Sequence, residues 1–286
     1  VMVERTQKLD EREVEVLKPV AVGENVIQVG EDVRERDEML PAGHVLRPQD
    51  LGGLMAVGLT EVAVARRPRV ALIATGDEVI PPSQPLGPGQ VRDINTFTLS
   101  GLVRKAGGEP WSLGIVPDRF EALKTAAVRG LAEADVVVMS AGSSVSVRDM
   151  TADVINALGA PGVLVHGISF RPGKPTVLAV CDGKPVFGLP GNPVSAMVVF
   201  GLLVTPTLWR WQGRTRLPAA RTVEARLTRN VTSVAGREDR IQVRLVQRDD
   251  GLWADPVFGK SNLIFTLIKA DGMIKISLDE TGRGAG

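Results

Sequence analysis

The sequence predicts an α/β protein. A three-layer doubly wound domain is expected at residues 68–217, flanked by a partial β-rich N-terminal lobe with a helix at 1–67 and a small C-terminal β-barrel or β-sandwich at 218–286. Three observations predict this. From residue 70 onward strand-like runs alternate with helix-like ones, the pattern of βαβ units. Residues 135–140 contain Val136, Val137, Val138 and Met139 in a row, as in a strand covered on both faces of a parallel sheet. After Leu217 the helical periodicity stops and apolar residues recur at every second position.

The elements follow in order. Short β-like runs at 14–17, 20–22 and 25–29 precede a charged stretch at 31–38, and a helix starts near 48–50 and passes through Leu54 and Val57. Arg66, Arg67, Pro68 and Arg69 mark a boundary, read as a solvated linker. Then come a strand at 70–74, a helix at 94–105 closed by Gly107 and Gly108, and a strand at 112–116. Asp118 with Glu121 three residues on has the spacing of a capping box opening the next helix. After the strand at 135–140, a short helix is expected at 151–158, strands at 163–170, 176–180 and 185–189, and an apolar helix at 194–204. The C-terminal strands are expected at 222–228, 240–247 and 252–257, with Asp249, Asp250 and Gly251 as the turn between the last two.

Composition excludes several classes of function. Lys plus Arg number 34 against 33 Asp plus Glu, so the net charge of +1 gives no electrostatic case for nucleic acid or an anionic membrane as partner. Aromatics at 4%, with no Tyr, argue against a base-stacking surface. One cysteine, Cys181, excludes an internal disulfide and reads as a packed, reduced thiol in a cytoplasmic protein. With only His44 and His166 besides, a His/Cys zinc site cannot be assembled, and both histidines read as surface or packing residues. No unbroken apolar run reaches about 18 residues and no basic-then-apolar leader opens the chain, so neither a membrane span nor a signal peptide is expected.

Ligands of open parallel sheets bind beyond the carboxyl ends of the strands, which selects four loops. After the first strand come Thr75, Gly76, Asp77 and Glu78; after the third come Gly142, Ser143 and Ser144, with Asp149 at the end of that loop. Arg171, Gly173 and Lys174 lie between later strands, and Pro190, Gly191, Asn192 and Pro193 form the last strand-to-helix corner. In that corner Gly191 can take φ > 0, Asn192 can cap the helix and Pro193 suits its first position, leaving backbone donors for an anion. Neutral donors, two cations and three carboxylates together suit a phosphate ligand with a divalent ion between acid and phosphate, the way Mg²⁺ is usually held. Alternatives stay open: Asp77 can cap a turn, Lys174 can be a solvated loop lysine, and Asp93, Asn95 and Asp149 can cap helices.

The combination of TGDE at 75–78, PLGPGQVRDIN at 85–95, SAGSSVSVRD at 140–149, RPGKP at 171–175 and GLPGNPVSA at 188–196 resembles the molybdopterin molybdenumtransferases, a family that includes the C-terminal domain of gephyrin. The run GKSNLIFTLIKADGMIKI at 259–276 is similar to the family's closing segment. The resemblance implies an enzyme of molybdenum cofactor biosynthesis that takes adenylylated molybdopterin and molybdate, uses Mg²⁺ and releases AMP. It also implies an elongated homodimer and contact with other proteins of that synthesis. Glu78 and Asp149 are then the expected metal ligands and, with Lys174 and Arg171, the expected catalytic residues. Thr75, Gly76, Asp77, Asp93, Asn95, Gly142, Ser143, Ser144, the corner 190–193, Ser195 and Ser261 form the expected substrate-binding set. Asp32 matches an acidic family position in the N-terminal lobe. The alternatives are an adenylyltransferase-like nucleotide-binding enzyme and a non-catalytic scaffold. Ala141, Ser143 and Ser146 stand where the family usually has Gly, Val and Gly, and Arg171 where it has Lys. The family's Asn-Ser-Ala-Met-Asp-Gly-Tyr-Ala segment is expected upstream of Val1, so the chain reads as N-terminally incomplete.

Overall fold

The computed structural model describes residues 1–141 and 145–286, with the side chains of 145–148 left out. It is a mixed α/β structure with several sheets, and its contacts divide it into two compact units, Val1–Val57 and Gly58–Gly286. The first unit opens with an antiparallel hairpin of β1 (Thr6–Lys8) and β2 (Val14–Val16) and ends with helix α1 (Pro48–Ala56). Pro48 starts the helix where no intrahelical N–H is needed. Asp50 accepts from the backbone N–H and the guanidinium of Arg47 and pairs with His44 at 2.7 Å, so its carboxyl is held far below the usual carboxylate range. The strands expected at 20–22 and 25–29 do not form. Gly23, Asn25 and Gly30 all take positive φ there and fold the segment into successive turns.

The second unit is built on a six-stranded sheet. Its strands are β3 (Arg69–Thr75), β6 (Glu109–Val116), β7 (Val136–Ala141), β8 (Pro161–His166), β10 (Val177–Cys181) and β11 (Lys184–Pro190), in the order β6-β3-β7-β11-β10-β8. The first four in that order are mutually parallel; β10 runs antiparallel to both β11 and β8. Asp182 and Gly183, both at positive φ, make the two-residue turn between β10 and β11. Two short strands, β4 (Val79–Ile80) and β5 (Val91–Arg92), pair beside the sheet, and β9 (Phe170–Arg171) leaves it altogether. The run expected as one strand at 163–170 breaks at Gly167, which takes φ +89°.

Alternate residues of the sheet go to two separate cores. Ala71, Ile73, Val137 and Met139 pack with Leu123 and Ala127 of α3 (Phe120–Glu133) and with Val154 and Ile155 of α4 (Val145–Asn156). Val70, Leu72, Val136 and Val138 pack instead with Leu99 and Val103 of α2 (Asn95–Lys105) and with the helix after β11. That helix comprises α5 (Pro193–Val199), a π-helical turn at Phe200–Val204 and α6 (Thr205–Trp211). The 193–211 stretch is long and apolar enough by composition to cross a membrane. Phe200, Val204 and Leu208 on it are fully buried against the sheet, as in a core helix.

Two helix starts differ from expectation. Helix α4 begins at Val145 rather than near Thr151, so Asp149 sits within the helix and is not its cap. The capping box at Asp118 and Glu121 does not form either: Arg119 is the N-cap of α3, and Asp118 accepts from the Thr75 hydroxyl at 2.5 Å. The C-terminal region holds β12 (Arg226–Leu227), β13 (Val231–Thr232), β14 (Glu238–Arg248), β15 (Gly251–Pro256), α7 (Phe265–Ile268), β16 (Gly272–Ile276) and β17 (Gly282–Arg283). The order β12-β15-β14-β16 is an open sheet, with β13 and β17 paired apart from it. No closed barrel is present among the described residues. Closure needs hydrogen-bonded neighbours all the way round, and the two-residue β12 offers too short an edge.

Candidate functional site

Strands β3, β7, β11 and β8 all point the same way, so the loops after them share one edge of the sheet. At the β3 end, Thr75 is buried and its hydroxyl is spent on Asp118, while one oxygen of Asp77 accepts from the Asp118 N–H at 3.1 Å. These two residues lock the loop after β3 to the loop after β6. Gly76 is buried at φ +151°, and a Cβ there would meet both Val79 and the Glu78 carboxylate, so the turn requires glycine. The Glu78 carboxylate itself is exposed and has no hydrogen-bond or ion-pair partner among the described residues, and the same holds for Asp149 on α4. No group of three or more metal-ligating side chains occurs among the described residues. Gly142, Ser143 and Ser144 lie outside them.

Asp93 and Asn95 turn out to be fasteners. Asp93 is buried and accepts from the Thr96 N–H at the start of α2. The Asn95 amide donates to Ser140 Oγ at 2.7 Å and to the Gly191 carbonyl at 2.8 Å, tying α2 to the end of β7 and to the corner after β11; its buried oxygen has no partner among the described residues. In the corner, Asn192 is the N-cap of α5 by position, but its side chain donates to Ser261 Oγ at 2.9 Å and makes no cap bond. Gly191 is not at positive φ. The first helical donor, the Val194 N–H, is taken by the Ser261 carbonyl. The corner is thereby bound to the segment 259–262 instead of presenting all its donors freely.

The remaining expected residues converge. Arg171, Lys174, Pro190, Asn192, Ser195 and Ser261 line one cleft of about 1210 Å³, bounded by the 166–175 loop, the corner and the C-terminal sheet. Glu78, Asp149 and the β3 loop are not part of it. Strand pairing makes the cleft: β9 adds in parallel to β14, with Phe170 opposite Glu238 and Arg171 opposite Asp239. This brings in Arg237, Arg240 and Lys260, which sequence reasoning missed. Lys174 and Lys260 are exposed and unpaired among the described residues. Arg240 donates to Glu238 at 2.7 Å; burial works to raise the Glu238 pKa, and the bonds from Arg240 and Lys275 hold it below the usual glutamate range. Gln242, also lining the cleft, has a buried amide nitrogen with no partner among the described residues. His166 stands at the rim, exposed. A basic cleft with neutral donors and an unspent buried amide suits a small, multiply charged oxyanion.

Comparison with known proteins agrees in order along the chain. The MoeA N-terminal region (domain I and II) matches residues 1–58, the "Probable molybdopterin binding domain" residues 71–210, and the MoeA C-terminal region (domain IV) residues 224–286. The solved molybdopterin biosynthesis moeA protein from Pyrococcus horikosii is 36% identical, aligns over 100% of this chain and 69% of its own, and superposes with a TM-score of 0.80. The chain belongs to the molybdopterin molybdenumtransferase (MoeA) family. Among curated MoeA-family relatives, the molybdopterin molybdenumtransferase of Haemophilus influenzae is 35% identical over 216 residues, 76% of this chain and 53% of that protein. Molybdopterin molybdenumtransferase 1 of Mycobacterium tuberculosis is 33% identical over 271 residues, 92% of this chain and 63% of that protein. The chain thus spans between about half and two-thirds of the length of these relatives.

Proposed function

We propose that this chain acts in the insertion of molybdenum into adenylylated molybdopterin with release of AMP, as a homodimeric cytoplasmic enzyme. The observation that carries the reading is the basic cleft, where Arg171 and Lys174 of the RPGKP run meet Arg237, Arg240 and Lys260 beside Ser261. Molybdate and phosphate oxygens need such convergent cations, and charge developing on them in a transfer reaction is stabilised best by groups already in place. Lys174 supplies a mobile point charge, whereas Arg171 offers a planar pair of donors. The domain limits that go with this reading are 1–67, 68–217 and 218–286, the middle one a three-layer doubly wound domain; its two cores on alternate strand residues support that description.

Glu78 and Asp149 would hold Mg²⁺. Both are exposed and without a partner among the described residues, which fits the ion, and Mg²⁺ is usually held by one or two carboxylates with substrate phosphates completing its shell. When bound, the ion supplies charge neutralisation at the adenylate pyrophosphate. The protein's own part is to keep the β3 loop rigid through the Thr75–Asp118–Asp77 bonds, so that Glu78 is presented at the sheet edge. The test is AMP release from adenylylated molybdopterin, followed chromatographically with and without molybdate. Release that requires molybdate is expected. Release independent of molybdate would favour nucleotide processing, and molybdate binding without any release would favour a scaffold.

A further inference from the structure

We propose that Asp239 is a positioning residue of the cleft, holding the guanidinium groups of Arg237 and Arg171 side by side so that both face one oxyanion. The proposal rests on the oxyanion reading of the cleft. Asp239 is 1% exposed. Arg237 donates to it through Nε at 2.9 Å and through a terminal nitrogen at 3.3 Å, and a terminal nitrogen of Arg171 lies 3.8 Å away. The two arginines come from distant parts of the chain and meet only because β9 pairs with β14, where Arg171 stands opposite Asp239 and the Glu238 N–H bonds the Ser169 carbonyl at 3.0 Å. Their side chains remain 34% and 64% exposed, so the acid lies beneath them and their charge is left to the cleft.

Two unrestrained guanidinium groups this close repel each other and lose side-chain freedom when an anion draws them together. A carboxylate beneath them offsets the repulsion and fixes the plane of Arg237 before the anion arrives. The alternative is that Asp239 is only one more charge in the site. Coulomb attraction alone then requires that removing it tighten anion binding. The two accounts differ in sign.

The experiment is calorimetric titration of molybdate into the unmodified protein, Asp239→Asn, Arg237→Ala and the double variant, with folding checked by circular dichroism. Asp239→Asn is expected to weaken binding about tenfold, the loss of about one charge-assisted hydrogen bond, although it removes a negative charge. In the Arg237→Ala background the same substitution should cost clearly less, about threefold at most, because only Arg171 is then left for Asp239 to hold, a coupling that a merely structural role does not require. Unchanged or tighter binding by Asp239→Asn, or equal losses in both backgrounds, overturns the proposal. Should Asp239→Asn not fold, the double variant leaves neither member of the pair stranded; a further loss of about tenfold relative to Arg237→Ala overturns the proposal, and one of about threefold or less supports it. If the unmodified protein binds no molybdate, the cleft reading itself fails and takes the proposal with it, a failure distinguishable from the others.

Discussion

In the loop after β3 and on α4 the charged side chains Glu78 and Asp149 stand exposed and unpaired among the described residues, whereas the cleft beside β11 is lined by five cations and one buried acid, Asp239. Strands β3 and β11 are two spacings apart in the sheet, about 10 Å. The two regions are assembled differently. The basic side carries its own counter-charge and is fastened by strand pairing and by the bonds between the corner and residues 259–262. On the acidic side, Glu78 and Asp149 have no ion-pair partner among the described residues. That division is the one the proposed function uses, with cations in the cleft for an oxyanion and carboxylates outside it for the proposed Mg²⁺.

The most damaging way to break this comparison is to disturb the arm of the cleft. Gly173 is buried at φ +130°, and a Cβ there would run into Cγ2 of Val199 on α5. Gly173→Ala is expected to destabilise the protein by about 1–3 kcal/mol, from overpacking and an unfavourable backbone conformation. Molybdate binding should fall with it while the environment of Glu78 is unchanged. Denaturant unfolding and calorimetry check the two parts; wild-type stability would mean that the arm can move aside freely.

A crossed pair of substitutions sharpens the contrast. Lys174→Ala should weaken molybdate binding about tenfold at low ionic strength and less at 0.5 M salt, where the Debye length is only about 4 Å. Glu78→Ala and Asp149→Ala should leave molybdate binding within about twofold but abolish the Mg²⁺ dependence of AMP release, because they lie outside the cleft. If the carboxylate variants lose molybdate binding as strongly as Lys174→Ala, the two regions are one site.

The smallest expected effect is on pH. The carboxyl of Glu238 is held below its usual range: burial raises it, and the bonds from Arg240 and Lys275 outweigh that. A depressed folded pKa stabilises the protein above the unfolded value of about 4.3, and the contribution is lost as pH falls further. Thermal unfolding at pH values from about 6 to 3 should show this loss. In Glu238→Gln the acid-dependent part should be smaller; an identical pH profile would mean that other carboxylates account for it.

Several of these features were legible in the sequence because they are local. The run expected as a strand at 135–140 became β7 (Val136–Ala141), whose six residues are all buried, since unbroken hydrophobicity of strand length suits a strand covered on both faces. The rule that ligands bind beyond strand ends picked out Arg171 and Lys174, and both line the cleft. The capping assignments were less secure because Ser, Asp and Asn side chains can serve several neighbours. Asp118 chose Thr75 from the adjacent strand over its own helix, and Asn192 chose Ser261.

By itself the sequence determined the alternation of strands and helices, the turns at glycine and the family motifs, all of which depend on residues within a few positions of one another. Tertiary structure alone decided which distant charges meet. Residues 237–239 precede the strand expected at 240–247 and carry no local sign of a ligand site. They enter the cleft because β9 leaves the main sheet to pair with β14, satisfying backbone groups that would otherwise go unpaired. Hydrogen bonding between strands has no sequence-local rule for its partner, so the meeting of Arg171, Arg237 and Asp239 is settled only when the chain is folded.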